Sequence, residues 1–111
     1  MAEGRRITWI GTVPDITTQI FLNFDTALQT QFGVTRIGAP QYQTAGLVTV
    51  ASSLYNRVLA QALIKVTPEA TLTLYLNLLW DGVPDMAGLK AMVQSTFSYI
   101  GVTILEDTVT L

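Results

Sequence analysis

From residue 71 to residue 80 the chain alternates. Leu72, Leu74, Leu76, Leu78 and Trp80 fall on one side, and Thr71, Thr73, Tyr75 and Asn77 on the other. Successive strand side chains point to opposite faces, so this run predicts a strand with a buried leucine face. The period overrules the helix-start signal Thr67-Pro68-Glu69 just before it. Residues 5–13 repeat the pattern, with Ile7, Trp9, Gly11 and Val13 on one face. Elsewhere the spacing changes from two to four. Ile16, Ile20, Phe24 and Leu28, widened by Phe21 and Phe32, form one stripe, while Thr17, Asn23, Thr26 and Thr30 face away. That is an amphipathic helix. Met86, Leu89, Met92 or Val93, Phe97 and Ile100 predict a second one.

Both helices carry the same punctuation. Val13-Pro14-Asp15 precedes the first and Val83-Pro84-Asp85 the second. Proline extends the residue before it and can open a helix. An aspartate at the N-cap or in the first turn meets unpaired N–H groups and the positive end of the dipole. Gly33 and Gly101 are natural stops, each followed by Val-Thr and a further strand, over 34–37 and 102–111. The chain thus reads as two strand–helix–strand units, about 5–37 and 71–111, each with a tryptophan near the end of its first strand. Two such units packed about a pseudo-twofold give an α+β, ferredoxin-like sheet with helices on one face. The variable middle, about 38–70, is an insertion, either an additional helix or a long hairpin. Leu47-Val48-Thr49-Val50 favours a strand to about residue 50. Leu54, Val58 and Ala62, with Tyr55 and Leu59 beside them, favour a helix to about Lys65. At 111 residues the expectation is one domain, 1–111, large enough to need no disulfide or metal staple.

Charge changes this picture more than apolar content does. Half of the residues are apolar, which is ordinary, but only 13% are charged, against about 25% in an average soluble protein. The charges are also unevenly spread, with none between Arg36 and Arg57 and none between Glu69 and Asp81. Interface cores are depleted in charge. The charge-poor segment is therefore the expected intersubunit surface, with Gln41, Tyr42, Gln43 and Leu47 in contact and Arg36 and Arg57 at its rim. A net charge of −2 with six Lys and Arg leaves no footprint for nucleic acid. No apolar run has the length of a membrane span, and residues 1–6 lack the apolar core of a signal peptide. The expected location is a virion or the cytoplasm, without secretion.

Candidate chemistry is sparse. Without Cys or His there is no thiol nucleophile, no zinc-finger spacing and no imidazole base. Asp81 and Asp85 read as a turn residue and a helix-start residue. Glu106 and Asp107 are adjacent on a strand and so point to opposite faces. The second pair has poor geometry for paired carboxylate work; the first could form a metal or acid–base pair, but its turn and helix-start roles explain it. No phosphate-binding glycine motif is present. Arg36 and Arg57 could clamp an anion or touch a partner. Trp9 and Trp80 read as core plugs or interface anchors. No catalytic residue, cofactor or metal is expected.

Asp85-Met86-Ala87-Gly88-Leu89, leading through a helix to Gly101-Val102-Thr103-Ile104, resembles the first strand–helix–strand of ACT regulatory modules. The turn glycine, Gly88, and the helix-end glycine, Gly101, match in kind and spacing. Ala87 stands where that family usually has proline, and the likeness covers the final quarter of the chain. It implies a ferredoxin-like module that binds a small ligand, often an amino acid, as a dimer. Composition, by contrast, leads to a non-catalytic structural subunit that self-assembles into a larger particle. The particle expected is a viral or phage virion, as a head, neck or tail component. Its partners would be copies of itself or other structural subunits.

Overall fold

The chain alternates strands and helices in the order β1 (Glu3–Val13), α1 (Thr18–Phe32), β2 (Arg36–Ala45), β3 (Val48–Tyr55), β4 (Val58–Val66), β5 (Leu72–Asp81), α2 (Met86–Phe97) and β6 (Ile100–Thr110). These elements come from a computed structural model in which residues 2–111 are described. The strands form one six-stranded sheet in the order β2-β3-β4-β5-β1-β6, each antiparallel to its neighbour.

The period-two leucines do what their spacing requires. Leu74, Leu76, Leu78 and Trp80 are buried on one face of β5. Ile7, Trp9 and Val13 of β1 lie opposite Leu78, Leu76 and Leu72 on that face. Val58, Ala60, Ala62 and Ile64 of β4 continue it on the other side. Both helices pack against this face. Phe24 and Leu28 of α1 and Leu89, Met92, Val93 and Phe97 of α2 complete a single apolar cluster. Phe97 is its hinge. Its ring sits 5.7 Å from Phe21, 5.3 Å from Phe24 and 6.3 Å from Tyr99. The indole N–H groups of Trp9 and Trp80 are buried without a partner among the described residues.

The fold is α+β with two helices, but six strands replace the expected two units and insertion. The helix expected from Leu54 to Lys65 is instead the β3–β4 hairpin, turning at Asn56 and Arg57. Leu54, Val58 and Ala62 satisfy a four-residue spacing, yet Val58, Ala60, Ala62 and Ile64 satisfy a two-residue one equally well. Tertiary packing decides, because alanines at 60 and 62 leave room for α1 above the sheet. The strand after α1 does not stop at Ile37. It continues to Ala45 across a register shift between Ile37 and Gln41, which absorbs Gly38-Ala39-Pro40. An edge strand tolerates proline because its N–H needs no partner.

Two helix boundaries also move. Asp15 is not the first helix-start residue. Thr17 is the N-cap, and its hydroxyl accepts from the Ile20 N–H at 3.2 Å. Asp85 caps α2 as its position predicted, accepting from the Gly88 N–H at 3.3 Å. A side chain on Gly88 would collide with that carboxylate. α2 ends at Phe97, where Ser98 takes the left-handed conformation, so Gly101 does not close the helix. Gly101 (φ +70°) lies in β6, beside the irregularity where β1 shifts register. Ile100 begins β6 as an exposed residue and is not part of the α2 stripe.

Leu74→Ala or Leu76→Ala should destabilise the fold by about 2–5 kcal/mol, the range for truncating a packed core leucine. Asp85→Ala should cost about 0.5–2 kcal/mol as a lost cap, and Asp15→Ala clearly less. Urea unfolding of the three variant types checks both the strand and the cap assignment.

Candidate assembly interface

The face of the sheet that carries no helix is the largest chemical irregularity of the molecule. Register puts its side chains in rows that cross all six strands. One row runs Gln43, Val50, Leu63, Tyr75, Ile10, Thr103. The parallel row runs Ile37, Leu54, Leu59, Leu79, Arg6, Asp107. Between them lies Gln41, Ser52, Gln61, Asn77, Thr8, Leu105. Each outer row thus sets four large apolar or aromatic side chains side by side, and the middle row is built from amides and hydroxyls except for Leu105 at the β6 border. Arg6 and Asp107, at one corner, are the only charged residues in the three rows. Ile37, Leu54 and Leu105 are each about half exposed (53%, 47% and 52%).

Strand spacing and rise give this face roughly 700 Å². A standard interface takes about 800 Å² from each partner. A monomer rarely exposes an apolar patch beyond a few hundred square ångströms.

The residues expected at the interface from charge depletion do not form one patch. Gln41 and Gln43 lie on the open face and share a shallow depression with Val50 and Ser52, which Tyr42 between them also lines. Tyr42 points the other way, with its ring 6.2 Å from Phe21 of α1. Leu47, 56% exposed, sits in the β2–β3 turn. Arg57 occupies the β3–β4 turn at the opposite end of β3, where its guanidinium donates to the Asp81 carbonyl at 3.1 Å. Arg36 is held by α1, its Nη1 donating to Asp25 Oδ2 at 3.3 Å.

That contact belongs to a cluster for which the charge pattern gave no cue. Asp25 lies on α1 between the buried Phe24 and Leu28, and accepts from three groups. The Tyr55 hydroxyl donates to Oδ1 at 2.7 Å, and the Gln29 amide and Arg36 donate to Oδ2. An acid flanked by apolar residues on the inward side of a helix needs donors, and that was the available signal. The cluster fastens α1 to β2 and β3. The space beside it, walled by Phe24, Ala51, Ala60 and Ala62, holds about 30 Å³, roughly one water molecule. A more open groove of about 350 Å³ runs from Ile16 and Phe21 to Tyr42, Ile64 and Leu72.

Burial, then the Asp25 carboxylate beside it, pushes the Tyr55 phenol far above its ordinary value. Burial alone does the same for Tyr99, whose hydroxyl donates to the Leu74 carbonyl.

Among the described residues no three His, Cys, Asp or Glu side chains group as a metal site, and no helix is long and apolar enough to cross a membrane. No protein-family model and no curated protein sequence matches the chain.

Both phenols are held neutral in the fold, so their stabilisation is complete below the unfolded value near pH 10 and is lost as pH rises above it. Ultraviolet titration should show two of the four tyrosines ionising only on unfolding. Tyr55→Phe should remove part of the alkaline loss of stability.

Proposed function

We propose that this chain is a non-catalytic structural subunit that self-assembles into a larger particle, as a head, neck or tail component of a viral or phage virion. One observation carries the reading: a six-stranded sheet whose helix-free face presents two apolar rows, with its charged residues, Arg6, Lys65, Asp81 and Asp107, outside the four apolar positions of each row. Loss of water from that face is favourable by about 25 cal/mol per Å² of apolar surface. Its middle row of amides and hydroxyls can pair across a joint without the large cost of burying charge. The absence of Cys and His in the sequence agrees with a role in contact surfaces.

The virion is the particle class that low charge and lack of a catalytic set suggest. Residence in a virion, or in the cytoplasm before assembly, belongs to the same proposal.

A second reading draws on strand order. The neighbours β6-β1-β5-β4, with two helices on one face, follow a ferredoxin-like order in which β4 takes the place of the strand after α1 and the β2–β3 hairpin widens the sheet. On that reading the chain is an ACT-like regulatory module, a dimer that binds a small ligand. The space beside Asp25, about 30 Å³, is too small for a ligand, whereas the open groove of about 350 Å³ reaches the lower end of the ~300–1,000 Å³ of ligand pockets; the apolar rows of the open face, not cavity size, favour the first reading.

Light scattering separates them. Self-assembly predicts a solution mass that is a multiple of 12.1 kDa and rises with concentration. Leu63→Lys should lower that mass while circular dichroism stays unchanged. A chain that remains a monomer over the full concentration range overturns the first reading. A dimer whose mass or stability responds to an added amino acid supports the second.

A further inference from the structure

We infer that copies of this chain join edge to edge, with β6 of one copy adding antiparallel to β2 of the next so that the sheet continues through the joint. The inference takes from the self-assembly reading only the identity of the partner. It rests on the two strand edges, not on the open face.

Direction comes first. Six strands, each antiparallel to its neighbour, leave β2 and β6 at opposite borders and pointing in opposite senses. A β6–β2 joint is therefore antiparallel with every copy's helices on the same side. The edges are also long, ten and eleven residues.

Hydrogen-bond phase agrees. The Leu111 N–H donates to the Ala2 carbonyl, so odd-numbered residues of β6 turn their backbone groups toward β1 and even-numbered ones toward the free edge. The Asn56 N–H donates to the Thr35 carbonyl, so Arg36 turns its groups outward. The register shift in β2 consumes two extra residues and restores the same phase at Tyr42. On both borders the outward groups thus belong to residues whose side chains lie on the helix face. Donors and acceptors meet without moving side chains to the wrong face.

Side chains then select a register. Setting Tyr42 beside Val102 brings Gln41 beside Thr103. Across the shift it brings Ile37 beside Leu105 and Arg36 beside Glu106. Two half-exposed apolar residues meet on one face; on the other, Arg36, already paired with Asp25, meets Glu106, already paired with Lys90, and the two ion pairs extend across the joint. Moving the strand by two residues sets Ile37 against Asp107 or Thr103 instead. A β6–β6 joint would bring two Glu106-Asp107 pairs together, which like charge disfavours.

Protection of the β2 edge is confined to its first half, where Arg36, Pro40 and the register shift lie. Residues 41–45 contain no charge and no proline, the devices that usually guard a free edge. A head-to-tail joint of this kind closes into a ring or runs on as a filament, and leaves no border unpaired except at filament ends.

The chain has no cysteine, so introduced pairs report the joint without background. Within one copy, residues 41 and 103 lie on opposite borders of the sheet, about 24 Å apart, too far for a disulfide. In the proposed joint they form a close, non-hydrogen-bonded pair. Under mild oxidation the Gln41→Cys/Thr103→Cys variant of the chain should form multimers on non-reducing gels. The yield should be roughly tenfold above the off-register pair Gln41→Cys/Leu105→Cys. Ile37→Cys/Leu105→Cys tests the same register if the first variant misfolds by circular dichroism. Assembled protein that fails to cross-link at both pairs overturns the edge joint and leaves self-assembly standing. Equal cross-linking of Gln41→Cys alone places the joint at β2 against β2 and also overturns it. A wild-type chain that is monomeric at every concentration overturns both.

Discussion

Two helices cannot cover both faces of a six-stranded sheet, and the rest of the molecule follows from that constraint. The leucine face of β5 takes both helices and becomes the core. Trp9 and Ile7 lie beside it from β1, and Phe97 locks α1 to α2 above it. The reverse face has only solvent, although Leu59, Leu63, Tyr75 and Leu79 stand on it. Strand alternation makes the two outcomes inseparable, because every inward residue fixes the orientation of its neighbours. The sheet is thus a complete core on one side and unfinished on the other.

The attachment of α1 shows how the widened sheet is managed. α1 must reach across to β2 and β3, beyond the strands that α2 helps to cover. Small side chains at Ala51, Ala60 and Ala62 let it approach, and the Asp25 cluster with Tyr55, Gln29 and Arg36 fastens it there. A carboxylate that accepts three donors near an apolar core is geometrically demanding, since loss of one partner leaves a polar atom unsatisfied. Arg36, which looked like a rim residue in the sequence, is also a structural anchor. The same residue stands at the β2 border, where one end of its guanidinium fork is committed to Asp25 and further donors are free for a neighbour.

Legibility in the sequence followed the uniqueness of each period. β5 alternates over ten residues with leucine on one side, and no other element fits that pattern. Both helices were legible for the same reason, as were the inward roles of Phe24, Leu28, Leu89 and Phe97. The β3–β4 hairpin was hidden because Leu54, Val58 and Ala62 fit both a helical and an extended spacing, and only the position of α1 chooses between them. That misreading also concealed the open face, since Leu59 and Leu63 belong to it only when β4 is a strand. Caps were legible where one acid had one helix start, as at Asp85. Thr17 displaced Asp15 because two capping side chains compete within three residues. Charge depletion located the β2–β3 hairpin as unusual but could not say that Gln41 and Tyr42 face opposite sides of the sheet.

The central claim is that the helix-free face loses its water when copies associate. Hydroxyl-radical labelling read by mass spectrometry across a dilution series measures this residue by residue. The account predicts that labelling of Leu59, Leu63 and Tyr75 falls several-fold as concentration rises, while the exposed Val83, between β5 and α2, labels equally throughout. Equal labelling of the open-face residues at every concentration, in a sample whose mass shows assembly, would contradict it.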